Sequence, residues 1–104
     1  MPDDLDLVIV TMRFDAADPD ELLSVLSRYV VMSRGHDGCR NIDLVSSVTR
    51  PGRFTVISKW ESHDAQKAHF DSPDMVAMAE ACTGLLVEPP AIDLHESISA
   101  HDLH

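Results

Sequence analysis

The sequence predicts an α+β fold in which one antiparallel sheet carries its helices on a single face. Three observations lead there. Apolar and polar residues alternate at 39–48, 54–60 and 92–98, and 6–14 alternates two nonpolar faces, the period of a strand, because successive side chains on a strand point to opposite sides. Leu22, Leu26, Tyr29 or Val30, and Ser33 instead recur at helical spacing, as do Met75, Met78, Ala79 and Cys82. Pro19, Pro51, Pro73 and the Pro89-Pro90 pair fall at the edges of these segments, where a missing N–H does least harm. The order strand, helix, strand, strand, helices, strand is the ferredoxin-like βαββαβ arrangement.

Taken in order, the first strand places Leu7, Ile9 and Thr11 on one face and Val8, Val10, Met12 and Phe14 on the other, so it is expected to be covered on both sides. Residues 15–18 form a polar turn. Asp18-Pro19-Asp20-Glu21 then supplies a cap, a proline at the first helical position and a glutamate at the third, predicting a helix to about Arg34 with Gly35 closing it in the left-handed conformation. From Cys39 the second strand turns Ile42, Leu44, Ser46 and Val48 one way, and Arg50-Pro51-Gly52-Arg53 joins it to the third as a hairpin. In the third strand Phe54, Val56, Ser58 and Trp60 share a face, which the chain's only tryptophan ends. Ser62 is expected to cap a short helix from His63 with Ala65, Ala68, His69 and Ser72 on one side, and Ser72-Pro73 restarts it. The second long helix is predicted to take in Leu85 or Leu86 near Gly84, before Glu88-Pro89-Pro90 forbids helix and a last strand follows.

A chain of 104 residues is expected to form one domain, residues 1–104 with a loose tail from about 99, that buries only roughly two-thirds of its unfolded surface. A partner covering more is therefore expected. With both helices on one sheet face the other is bare, and Leu7, Ile9 and Val45 there predict a homodimer interface. Net charge is −10, which opposes phosphate backbones and anionic lipid heads, so neither nucleic acid nor membrane is an expected partner. Met1-Pro2-Asp3-Asp4 has no basic leader pattern, and no apolar run reaches the roughly 20 residues of a span, so the chain is expected to stay in the cytoplasm. Cys39 and Cys82 have neither disulfide-framework nor metal spacing and read as small buried hydrophobes.

Trp60-Glu61-Ser62, then Ala68-His69, then Ser72-Pro73-Asp74-Met75, with Gly84 beyond, resembles the hallmark segment of the antibiotic biosynthesis monooxygenase domains, particularly their quinol monooxygenase branch. The other strands and helices follow in the same order over nearly the whole chain. This resemblance implies a dimeric α/β barrel joined through the open sheet faces, with a pocket in each monomer between sheet and helices. It also implies cofactor-independent oxygenation, in which a deprotonated phenol or hydroquinone gives an electron directly to O2. His69 would then be the catalytic base and Trp60 an aromatic wall, with Met12, Phe14, Val56 and Met78 as further pocket residues.

Two departures from the family narrow the chemistry. Val56 stands where the polyketide-quinone-forming members carry an asparagine, four residues before the tryptophan. Met12 and Met78 or Ala79 stand where the haem-degrading branch carries an asparagine and a histidine, so haem ligation is not expected. No cofactor and no metal are expected. Histidine is the side chain best suited to take a proton near neutral pH, yet a lone histidine on an apolar helix face is also commonly a hydrogen-bonded structural residue. His36, His63, His95 and the tail pair His101 and His104 receive no role. Besides the monooxygenase, two readings stay open: an isomerase of a small carbonyl compound using the same base, and a non-catalytic dimeric ligand-binding domain.

Overall fold

A computed structural model describes residues 7–98. The tail with its two histidines and the first six residues lie outside that range. Four strands and three helices follow in the order β1 (Val8–Asp15), α1 (Pro19–Ser33), β2 (Cys39–Ser46), β3 (Arg53–Trp60), α2 (His63–Phe70), α3 (Pro73–Ala81) and β4 (Ala91–Glu96). They build one sheet in the order β2-β3-β1-β4, antiparallel at every pairing. This is the ferredoxin-like fold expected from the pattern.

Register explains the core. Met12 lies opposite Val56, Val10 opposite Ser58 and Val8 opposite Trp60, so the even positions of β1 and β3 form one continuous surface under the helices. Val8, Val10, Met12, Phe14, Val56 and Trp60 are all buried there, against Leu22, Leu26, Tyr29 and Val30 from α1. Trp60 is the largest of these, and its Nε1 donates to Ser58 Oγ at 2.9 Å, which satisfies its one donor inside the core. Ile92 and Leu94 on β4 pair with Met12 and Val10, yet stay 43% and 52% exposed because the helices do not reach over that edge.

The capping signals act as written. Asp18 Oδ1 accepts from Glu21 N, Ser62 Oγ from Ala65 N and Ser72 Oγ from Met75 N, each satisfying an amide that the helix itself leaves bare. Ser72 is extended because the following proline disfavours the helical conformation before it, and this separates α2 from α3. Three expectations change. Arg34 ends α1 in the right-handed helical region and Gly35 takes no positive φ; the positive φ falls instead at Gly38, 77°, just before β2. α3 ends at Ala81, and Gly84 at φ 80° turns Leu85 and Leu86 away to meet β1, where Ala17 N donates to Leu85 O at 2.8 Å. Leu7 is buried, so the open face carries Ile9, Ile57 and Val45 without it.

Candidate active site

The site grows from the corner where β3 passes into α2. Two turns after Ser62 caps α2, His69 projects inward and is 2% exposed. Its ring stacks on Trp60, with centroids 4.4 Å apart and planes 28° from parallel, so the strand's last residue sets the orientation of the imidazole. Both ring nitrogens are engaged. Nε2 meets the Tyr29 hydroxyl at 2.5 Å, and Nδ1 meets His36 Nδ1 at 2.8 Å. His36 Nε2 in turn lies 2.7 Å from Asp74 Oδ2, in the first turn of α3.

His36 is held by its own backbone. Its N–H donates to Ser33 O at 3.0 Å and its carbonyl accepts from Cys39 N at 3.1 Å, while Gly38 O accepts from Glu61 N at 2.9 Å and straps the loop to the β3–α2 corner. Gly38 approaches α2 so closely that a side chain there would collide with the Ala65 Cβ. The loop therefore needs glycine for clearance as well as for its backbone conformation.

Electrostatics follow from burial. The His69 pKa falls from 6.5 to about 4, first because burial disfavours the imidazolium and second because His36 stands beside it, with Asp74 acting weakly the other way. Burial raises the Tyr29 pKa, so its phenol stays protonated. Two open clefts flank this line of groups, each of about 390 Å³. One lies between α1 and α3 and includes Val25, Arg28, Tyr29, Asp74 and Met78; the other includes His36, Ala68, His69 and Ser72.

The antibiotic biosynthesis monooxygenase family model matches residues 7–81, most of the chain and all of the site. The chain belongs to that family. No functionally curated protein matches the sequence. Among solved structures, Rv0793 from Mycobacterium tuberculosis is 26% identical, with 92% of this chain and 99% of that one aligned at a TM-score of 0.83. A candidate antibiotic biosynthesis monooxygenase from Caulobacter crescentus is 20% identical over 91% of this chain and 92% of its own, at 0.82. Another from Nitrosomonas europaea, 11% identical over 94% of this chain and 96% of its own, reaches 0.84 and shares the fold.

Within this monooxygenase-family domain the expected site residues divide. Trp60 and His69 come together. Met12, Phe14 and Val56 are packed into the core and line neither cleft, while Met78 lies in the wall between α1 and α3. Of the two clefts, one lies between α1 and α3 and the other between the 35–37 loop and α2, whereas the sequence pointed to the layer between sheet and helices. Tyr29, His36 and Asp74 were missed: Tyr29 looked like one more member of the α1 stripe, Asp74 like a helix-start charge, and His36 like a loop residue. Their common sign was side chains with chemistry at the ends of elements that the topology brings to one corner. Among the described residues, no cluster of His, Cys, Asp and Glu is placed to hold a metal ion, and no helix is long and apolar enough to cross a membrane.

Proposed function

We propose that this domain is a cofactor-independent monooxygenase of a small phenol or hydroquinone, bound in the cleft between α1 and α3 with Met78 and Val25 against its ring. One observation carries the reading: a neutral, buried imidazole, clamped on Trp60, meets the hydroxyl of Tyr29, a residue that lines that cleft. A hydroquinone that loses its proton becomes an electron donor to O2. The balance is hydroquinone plus O2 to hydroxyquinone plus water: the substrate supplies four electrons, one oxygen atom enters the ring and the other leaves as water. The protein's part is to hold the ring, exclude water and move the proton, for which no bound metal or organic cofactor is invoked. Because both nitrogens of His69 are already bonded, the base acts through Tyr29 and does not touch the substrate.

The working unit in this proposal is a homodimer in the cytoplasm, closed through the sheet face opposite the helices. Oxygen uptake with a panel of hydroquinones tests the activity. Turnover with one O2 per substrate is expected, and His69→Ala should lower it by at least roughly a hundredfold while the protein stays folded. No uptake across the panel sinks the oxygenase. Exchange of substrate protons with solvent and no oxygen consumption would indicate the isomerase, and ligand stabilisation without turnover the binding domain.

A further inference from the structure

The oxygenase reading leaves two groups unexplained: why a second histidine should face the first, and why a carboxylate should stand behind it. Carboxylate oxygens only accept, so His36 Nε2 must be the N–H that meets Asp74. A neutral His36 then has a bare Nδ1. Facing it at 2.8 Å, His69 Nδ1 must carry the hydrogen, which leaves His69 Nε2 bare to accept from the Tyr29 hydroxyl. Each bond fixes the polarity of the next, and the direction of the whole line is set at its exposed end by Asp74.

We infer that Tyr29, His69, His36 and Asp74 form a directional proton wire that leads from Tyr29 in the α1–α3 cleft to His36 in the second cleft, in which His36 and Asp74 are positioning residues that set the tautomer of His69. This rests on the proposed reaction only for the identity of the substrate. The movement balances without any other reactant. A substrate hydroxyl gives its proton to Tyr29 O as the Tyr29 proton passes to His69 Nε2, and the His69 Nδ1 proton passes to His36 Nδ1. The result is a substrate anion in the cleft and a positive His36 ring beside the Asp74 carboxylate. His36 is the member that can hold that charge, since its side chain is 22% exposed and Asp74 is 32% exposed, whereas His69 is sealed. The same hops in reverse return a proton when the O–O bond breaks and water leaves.

Histidine tautomers are visible without any activity. Long-range proton–nitrogen spectra of the 15N-labelled full chain near neutral pH should show His69 protonated on Nδ1 and His36 on Nε2. In Asp74→Ala the acceptor is gone, and His69 should become a mixture of both tautomers. Asp74→Asn keeps a carbonyl acceptor without the charge, so it should retain the His69 tautomer while losing turnover by roughly a hundredfold. A wild-type His69 protonated on Nε2 overturns the wire, and so does an Asp74→Ala protein whose tautomers match the wild type. If wild type consumes no oxygen with any quinol, the oxygenase reading fails and the wild-type spectrum still decides the wire.

Discussion

Acid should weaken this fold through His69 in particular. In the folded chain the ring resists protonation down to about pH 4, while in the unfolded chain it takes a proton near 6.5. The folded pKa is lowered, so the unfolded state binds more protons between these limits, and stability present above pH 6.5 is lost as pH falls toward 4. At 1.36 kcal/mol per unit the whole window is worth about 3 kcal/mol, and screening by water one side chain away, beyond His36, trims this to about 2–3 kcal/mol. His69→Gln supplies the comparison, because its amide oxygen still accepts from Tyr29 but does not titrate. Urea midpoints for both proteins at one fixed concentration, from about pH 7.5 to about pH 4, give the stability difference directly. Wild type should fall more steeply than the variant by about 2–3 kcal/mol over this range. Two parallel curves would show that folded His69 takes up its proton as readily as the unfolded chain does, and the burial argument would fail.

Other expectations are simpler to check. Sedimentation at micromolar concentration should give a dimer, because Ile9, Ile57 and Val45 lie on a sheet face that no helix covers; obligate interfaces of this kind exceed roughly 2,000 Å² in total. Ile57→Lys should shift the species toward monomer, and a wild-type monomer removes the interface from the proposal. Gly38→Ala combines a positive φ with a collision against Ala65, costing about 2 kcal/mol, and should lower the melting temperature by roughly 10 °C; Ala65→Gly in the same chain should recover part of it. An unchanged melting temperature in Gly38→Ala would mean that the loop holds His36 by other means. Added haem should leave its spectrum unshifted, because Met12 and Met78 offer no imidazole; a sharp, stoichiometric Soret shift would contradict this.

Strand faces and helix starts were legible because they are local. Alternation in β1 and β3 and the caps at Asp18, Ser62 and Ser72 depend on neighbours within four residues, and the chain states them openly. Gly35 misled because any glycine after a helix can close it. What decided for Gly38 was the close pass of α2, a contact between residues 27 apart in sequence that no local pattern contains. His69 and Trp60 were readable as a pair across one strand-to-helix corner. Tyr29, His36 and Asp74 were not, since each becomes informative only when another segment's polar atom is seen to face it. The interhelical cleft was hidden for a related reason: packing volume between α1 and α3 depends on how far apart two helices settle, and side-chain periodicity carries no distance.

The wire has a kinetic consequence for folding. Its links span 40 residues from Tyr29 to His69, 33 from His36 to His69 and 38 from His36 to Asp74, so they join the first half of the chain to the second. Contacts this distant in sequence carry a large loop-closure cost and reward the chain only after the halves have met. The corner therefore acts as a latch, fastened after the sheet is assembled. Changes at His36 or Asp74 should leave the refolding rate nearly constant and appear as faster unfolding, the behaviour of positions formed after the rate-limiting step. An excursion that breaks both the Tyr29–His69 and the His36–His69 contacts parts the two halves at this corner, which ties the closed surroundings of His69 to the latch.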